Sequence, residues 1–259
     1  MKLFKKLLIF IIIFILSTVS AGAQPQNSMY QVSTINALMQ GVYDGDSTIK
    51  DLKQYGNFGI GTLNGLDGEM IALDGNFYQV KSTGEIKLLS DKVKTPFANV
   101  MNFHADKIGE IDSASNFAEL ERALDFIIKD RNYIYAVRID CIFTGKTRSV
   151  PAQKKPYPTL AEAAKKQAVF AVKNTKGTIV GYWCPDYISG INVSGYHLHF
   201  ISDDRKSGGH ILSGGIKSGK VQVGMVRDIR IVLPVSTDFQ KALLNEDYSK
   251  ELKEVEKSK

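Results

Sequence analysis

Several residue types that define particular classes of protein are scarce in this sequence. Its 259 residues include two cysteines, one tryptophan and four histidines. The two cysteines, Cys141 and Cys184, are too few for a disulfide scaffold, and their apolar surroundings fit one bridge or two buried thiols equally well. Basic residues nowhere form a cluster interleaved with aromatic ones, so the composition argues against a nucleic-acid partner.

Long apolar runs are also scarce, and the longest lies near the N-terminus. Residues 7–16 are apolar throughout, three lysines precede them, and Ala21-Gly22-Ala23 matches the A-x-A pattern of a cleavage site. Because a membrane-spanning helix needs about 20 apolar residues, we predict a signal peptide at residues 1–23, with an uncleaved anchor as the alternative. The mature chain is then exported to the periplasm or the cell exterior and has no membrane partner. Its net charge falls from +6 to +3 because cleavage removes three lysines.

Three of the four histidines fall in one short stretch, residues 195–210, which reads GYHLHFISDDRKSGGH. His197 and His199 are two apart in a run that favours a strand, so both imidazoles point from the same face. A polar turn follows, and a chain reversal there would bring His210 beside them. Three neutral imidazoles that leave a fourth position open are typical of a catalytic metal site, most often zinc. The alternative is a polar strand face with scattered histidines.

Alternation with period two dominates the sequence and predicts strands joined by tight turns. Candidate strands over residues 57–81 are separated by Asn-Gly or Asp-Gly pairs at residues 64–65, 67–68 and 74–75. Such pairs favour hairpin turns, so we expect an antiparallel meander. The clearest helix spans residues 116–130 and begins with a capping box. The chain therefore belongs to the α+β class and is rich in β structure.

Elsewhere the pattern is less regular. We expect residues 24–31 to be a polar lead-in, Ser47 to cap a short helix, and residues 145–158 to form a basic connector between two domains. In the second half, a turn at residues 175–177 and a break after residue 216 are expected to separate strands. A charged helix is expected over residues 248–256.

Other residues can carry chemistry, but each also has an ordinary structural interpretation. Glu69 shares its predicted strand face with Ile71, where an ionised carboxylate is costly unless a cation offsets it; alternatively it ends a hairpin in water. Arg148 lies in a basic, loop-like stretch typical of a solvated arginine. The tail glutamates Glu254 and Glu256 fit a helix face on which lysines are their partners.

Four segments together resemble the α-acetolactate decarboxylase family. They are GTLNGLDGE at residues 61–69, GYWCPDY at 181–187, GINVSGYHLHF at 190–200 and GGH at 208–210. The resemblance implies that 2-acetolactate loses carbon dioxide to give (R)-acetoin. Zinc would act as the Lewis acid and electron sink, and an enediolate would be protonated on one face. His197, His199 and His210 carry over as the zinc ligands.

The resemblance also implies three further active-site residues and an architecture. Glu69 and Arg148 match the family's glutamate and arginine, and Glu256 takes the place of a second, C-terminal glutamate, with Glu254 as the fallback. The implied fold has an N-terminal β-rich domain at residues 24–150, with a mixed or antiparallel sheet and helices. A C-terminal antiparallel half-barrel at residues 151–259 holds the metal site and a helical tail. The implied assembly is a homodimer.

Two other functions compete with this prediction. A cupin-like metal oxygenase also uses a His-x-His strand, but it places a glutamate four or five residues after the second histidine. Asp203 and Asp204 occupy those positions here. A secreted, non-enzymatic β-rich protein with a bound metal is the second competitor.

Overall fold

Two large sheets and several short helices make up residues 27–256, the part of the chain that this computed structural model describes. The predicted signal peptide lies outside the described residues. The strands are β1 (Ser28–Val32), β2 (Ser47–Thr48), β3 (Phe58–Thr62), β4 (Glu69–Leu73), β5 (Asn76–Val80), β6 (Ile86–Leu88), β7 (Lys94–Thr95), β8 (Ala98–Met101), β9 (Lys107–Ile111), β10 (Ile134–Ser149), β11 (Ala168–Cys184), β12 (Gly195–Ser202), β13 (Gly208–Val226) and β14 (Asp228–Val232). The helices are α1 (Ile35–Met39), α2 (Ile49–Lys53), α3 (Phe117–Ile128), α4 (Leu160–Ala164), α5 (Thr237–Lys241) and α6 (Ser249–Glu256).

The first large sheet is mixed and has seven strands in the order β14-β1-β8-β3-β4-β5-β6. Strand β1 runs parallel to β14, and the other pairings are antiparallel. The meander predicted over residues 57–81 is confirmed as β3, β4 and β5. Gly65, Gly68 and Gly75 adopt positive φ angles of 71°, 83° and 80° in its turns. Glycine takes this conformation without a steric penalty, which explains why the turns form there.

The second large sheet is antiparallel and strongly curled. Strand β10 pairs with β11 on one side and with β13 on the other along most of its length. Strand β12 pairs with β11 throughout but meets β13 only at three positions beside the connecting turn. The sheet therefore closes at one end and stays open at the other, as a half-barrel. Together, the mixed sheet, the antiparallel sheet and the few helices confirm the predicted α+β, β-rich class.

The hydrophobic core consists of several clusters, one of which lies between the two sheets. Phe58 and Ile71 of the seven-stranded sheet pack in one cluster with Tyr182 and Ile201 of the half-barrel. The amphipathic helix α3, capped by Asn116 as predicted, covers another face of the half-barrel. Cys141 and Cys184 are both buried and free, so the two-thiol alternative is the one observed.

Several predictions of local structure were wrong. Residues 28–31 do not form a polar lead-in, because β1 is buried between β8 and β14. Its partner strand β14 comes from the opposite end of the chain, so no local pattern reveals the pairing. Helix α2 is capped by Thr48 rather than Ser47, in a reciprocal capping box with Asp51.

The two longest strands also differ from the prediction. Strand β10 runs on to Ser149 instead of ending in a connector at residue 145, and β11 continues through residues 175–177. In place of the expected turn, the two strands form a bulge at Thr144 and Asn174. Asn174 has a φ of 46°, and its backbone N–H donates to Thr144 Oγ1 at 2.9 Å. Strand β13 likewise continues past residue 216 with a shift in register.

The two sheets draw on chain from both sides of residue 150. Strands β9 and β10 belong to the half-barrel, and β14 belongs to the seven-stranded sheet. The division into domains at residues 24–150 and 151–259 stays a prediction. Within residues 27–256, no helix has both the length and the apolarity that a membrane crossing requires.

Candidate metal centre

The hairpin formed by β12 and β13 brings three histidines together. His197 and His199 lie two apart on β12 and share one face, and His199 is directly opposite His210 on β13. All three are buried, with relative exposures of 9%, 1% and 2%. Imidazoles that are merely scattered on a polar strand face would be exposed to water, so that interpretation does not fit this cluster.

The imidazole nitrogens converge to the spacing that a metal ion requires. One ligand nitrogen from each ring lies within 4.8 Å of the others, and the Nε2 atoms of His197 and His199 are 3.3 Å apart. Zinc–nitrogen bonds of about 2.0–2.1 Å in a tetrahedral arrangement separate two ligand nitrogens by about 3.3 Å. The cluster can therefore hold a metal ion.

The electrostatic environment keeps these rings in the form that binds metal. Burial lowers the pKa of His197 and holds the pKa of His199 and His210 well below the usual value, and the nearby Arg148 guanidinium lowers each further. A neutral imidazole has a free lone pair, whereas a protonated one has none for a metal. Desolvation thus favours the ligand form of all three residues.

A glycine at the start of β13 permits the close packing of this cluster. Gly209 has a φ of 125°, and a Cβ atom built on it would lie 2.4 Å from the backbone oxygen of Arg148. A larger residue would push β13 away from β10 at the position where His210 pairs with Arg148. The glycine before His210 is therefore a steric requirement of the site.

Arg148 and Glu69 form a buried ion pair beside the histidines. Their side chains are 5% and 9% exposed, and Arg148 Nη1 donates to Glu69 Oε1 at 2.7 Å. The other carboxylate oxygen, Oε2, lies 3.7 Å from His199 Nε2. Burial raises the pKa of Glu69 to about 7, against the opposing influence of Arg148. The structure thus favours the cation-paired interpretation of Glu69, and Arg148 is not solvated.

The C-terminal helix α6 supplies the second carboxylate. Glu256 Oε2 lies 3.5 Å from the Nε2 atoms of both His197 and His210, and Oε1 lies 3.6 Å from Arg148 Nη2. Glu256 Oε2 is buried without a hydrogen-bond partner in the structure. Glu254 is exposed. The geometry therefore favours Glu256 over Glu254.

A small cavity of about 30 Å³ adjoins this group of charged residues. Glu69, Arg148, His197, His199 and Glu256 line one side of it. The opposite wall is apolar apart from Thr62 and includes Ile35, Leu38, Leu66, Phe97, Val150 and Leu160. No motif in the sequence predicts this wall, because only Thr62 and Leu66 lie in a family-like segment and the rest come from distant parts of the chain.

The remaining polar candidates lie away from the cluster. Asp203 is paired with Lys176 at 3.5 Å, and Asp204 accepts a hydrogen bond from Ser202 at 2.7 Å. Both aspartates are exposed on the turn between β12 and β13. His104 is also exposed. The carboxylate that a cupin-like site requires is therefore not supplied by either aspartate.

Comparison with known proteins agrees with this geometry. The profile of the α-acetolactate decarboxylase family matches residues 29–246. An α-acetolactate decarboxylase of Methanosarcina mazei is 46% identical over 230 residues, which cover 88% of this chain and 80% of that protein. One from Bacillus subtilis is 40% identical over 237 residues, covering 91% and 93% of the two chains.

Solved structures show the same relationship in three dimensions. The crystal structure of α-acetolactate decarboxylase from Bacillus subtilis superimposes with a TM-score of 0.87 at 40% identity, covering 89% of this chain and all of that one (100%). A Staphylococcus aureus protein described as similar to α-acetolactate decarboxylase gives a TM-score of 0.82 at 32% identity, covering 88% and 98%.

These similarities define the class of protein. The chain is an enzyme of the carboxy-lyase type, and it belongs to the α-acetolactate decarboxylase family. The predicted family and enzyme class are thereby confirmed. Glu256 lies beyond the residues that the family profile matches, so its inclusion in the site depends on the geometry described above.

Proposed function

We propose that the protein decarboxylates 2-acetolactate to (R)-acetoin at a zinc ion held by His197, His199 and His210. The observation that carries the proposal is the buried cluster itself. Three convergent imidazoles lie against an arginine and two carboxylates, and all of these residues except His210 line one small cavity in a chain of this family. Three histidine ligands leave a coordination position open, which is typical of catalytic rather than structural zinc.

The reaction requires an electron sink and a source of one proton. The bond between the carboxylate carbon and C2 breaks, carbon dioxide leaves, and the electron pair moves onto the oxygen of the neighbouring ketone. A proton then adds to C2 and gives acetoin. A bound zinc ion supplies Lewis-acid chemistry, which stabilises the negative charge that develops on oxygen.

Arg148 is positioned to bind the substrate's anionic groups. Its guanidinium is held in place by Glu69 at 2.7 Å, and its Nε is buried without a partner. A guanidinium presents several donors in a fixed fork, which suits a carboxylate or the oxygens of an enediolate. We therefore assign Arg148 to orienting the substrate so that its carboxylate leaves on one side.

Glu69 and Glu256 are the candidates for holding and delivering the proton. Both carboxylates lie beside the imidazole cluster, and they reach it from different elements, β4 and α6. Protonation by a group fixed on one side of a planar intermediate produces one enantiomer. This arrangement supports the formation of a single enantiomer, and we assign it as (R) from the family resemblance.

The direct experiment measures acetoin from racemic 2-acetolactate with the purified protein, before and after treatment with a chelator. We expect acetoin formation, its loss with the chelator, and its recovery when zinc is added back. Chiral chromatography should show an excess of the (R) product. A zinc-loaded protein that forms no acetoin above the spontaneous background would contradict the proposal.

We also propose that the protein is exported and forms a homodimer. The export proposal is supported by the charged, apolar and small-residue segments within residues 1–23. Mass spectrometry of protein from the native host should show a new N-terminus at Gln24. Light scattering coupled to size-exclusion chromatography should show twice the mass of the mature chain, whereas a single-chain mass would contradict the dimer.

A further inference from the structure

The segment that carries Glu256 has an unusual position in the fold. It begins after α5, crosses the surface as residues 242–248, and ends in the short helix α6. Neither α6 nor this connection belongs to a sheet, whereas the three histidines lie on paired strands. The carboxylate of Glu256 nevertheless reaches two imidazoles at 3.5 Å. Something other than backbone pairing must therefore hold the segment in place.

The first tether is an asparagine in α1. Asn36 is 8% exposed, and its side-chain amide donates to two backbone oxygens of the connection, Leu244 O at 2.9 Å and Glu246 O at 3.2 Å. One amide group thus fastens two positions of the chain that leads into α6. A buried asparagine that holds backbone oxygens of an otherwise irregular segment fixes the path of that segment.

The second tether is apolar. Leu252 and Val255 are the two buried side chains of α6, at 8% and 5% exposure, and they pack in a cluster with Leu160 and Ala163 of α4. They lie three residues apart and so share one face of the helix. That contact turns the next residue, Glu256, toward the histidines, while the other side chains of α6 face outward or are only partly covered.

We propose that Asn36 and the Leu252–Val255 pair are positioning residues that hold the Glu256 carboxylate over His197 and His210. The side-chain hydrogen bonds of Asn36 go to the connection, and the apolar pair packs on α4, so these residues act through the segment they fasten. This inference rests on the proposed function in so far as it concerns turnover. Its binding consequence is independent, because a carboxylate near two ligand nitrogens strengthens the binding of a cation whatever reaction follows.

The test is a double-mutant cycle between Asn36→Ala and Glu256→Gln, measured by kcat at saturating zinc and by the Kd for zinc. Alanine removes both donors without adding charge and suits the helix. Asn36→Ala should lower kcat about tenfold, as expected for a displaced catalytic group. It should also weaken zinc binding. In the Glu256→Gln background, the same substitution should change either quantity by less than about twofold.

Two further variants separate positioning from general damage to the fold. Val255→Ala loosens the other tether and should show the same dependence on Glu256. Asn245→Ala is the matched control, since this asparagine is exposed in the same connection, and it should behave like the wild type.

The outcomes are distinguishable. If Asn36→Ala has equal effects with and without the Glu256 carboxylate, or none at all, the positioning role is wrong. If the wild type makes no acetoin, the proposed function fails, and the zinc-binding cycle still decides whether these residues position Glu256.

Discussion

The two halves of the site are built on different kinds of support. His197, His199, His210 and Arg148 come from β10, β12 and β13, which are paired along the half-barrel. Glu256 comes from a terminal helix that is held by side-chain contacts: the Asn36 amide, a Ser189–Ser249 hydrogen bond and the apolar cluster with α4. Paired strands fix side chains by many cooperative hydrogen bonds, whereas a tethered helix can be displaced by losing a few contacts. We expect metal binding to depend mainly on the first half and turnover on both.

Glu69 is supported by a strand, but this strand belongs to the other sheet. It lies on β4 of the seven-stranded sheet, yet its carboxylate contacts Arg148 of the half-barrel at 2.7 Å. The buried ion pair therefore connects the two sheets at the site itself. Removing either partner would leave the other charge buried and uncompensated.

The largest effect is expected when one of the histidines that lie on the paired strands is removed. His199→Ala takes away an imidazole that is 1% exposed and faces both His197 and Glu69. We expect loss of bound zinc and a fall in kcat/KM of about 10³-fold or more. Metal analysis of the dialysed protein and the acetoin assay measure the two effects. His104→Ala is the control, and if His199→Ala keeps full zinc content, the histidine cluster is not the metal site.

Removing Arg148 should separate metal binding from turnover. Arg148→Ala leaves the three histidines intact, but the buried carboxylates of Glu69 and Glu256 lose their cationic partner. We expect retained zinc, a fall in kcat of about 10²–10³-fold and a loss of about 3 kcal/mol in the free energy of unfolding. Denaturant titration measures the stability. Loss of zinc in this variant would show that Arg148 mainly supports the metal site.

The carboxylate of Glu256 should affect turnover more strongly than zinc binding. Glu256→Gln keeps the shape of a side chain that lies 3.5 Å from two imidazoles. We expect kcat to fall about 10²-fold, within the range for a general acid or base, while zinc still binds, more weakly. Glu254→Gln on the exposed face of α6 is the matched control. Equal losses for the two variants would contradict the assignment of Glu256.

The smallest effect tests how closely the strands approach. Gly209→Ala introduces a Cβ atom 2.4 Å from the Arg148 backbone oxygen, at a φ of 125°. We expect a loss of about 1–3 kcal/mol in the free energy of unfolding. Gly75→Ala, where a Cβ atom meets no atom within 4 Å at a φ of 80°, should cost less. Thermal unfolding followed by circular dichroism compares them, and equal costs would contradict the steric role of Gly209.

The features that depend on residues close together in the chain could be predicted from the sequence. The spacing of His197 and His199 and the turn before His210 predicted the cluster, and turn pairs predicted the meander of β3, β4 and β5. The apolar face of Glu69 left open whether its carboxylate is paired with a cation or ends a hairpin in water. The basic surroundings of Arg148, its partner at 2.7 Å, favour a solvated arginine, and only the family resemblance places it in the site. Local composition does not reveal that β10 continues to Ser149 and buries this arginine.

The missing parts all depend on contacts between distant residues. Strand β1 is buried because it pairs with β14. The paired residues Ser28 and Asp228 are two hundred positions apart in the sequence. Gln31, fully buried, is satisfied by the Ile191 backbone oxygen at 2.7 Å. The placement of Glu256 likewise depends on α1 and α4. Periodicity describes what one element buries, but not which remote element covers it.

In the proposed function, decarboxylation depends on one metal ion bound by the histidine cluster. Its most direct test is a titration of the chelator-treated protein with zinc, following acetoin release from 2-acetolactate at each step. We expect activity to rise in proportion to added zinc and to level off at one ion per chain. Full activity before any zinc is added, or no activity at one bound ion per chain, would contradict it.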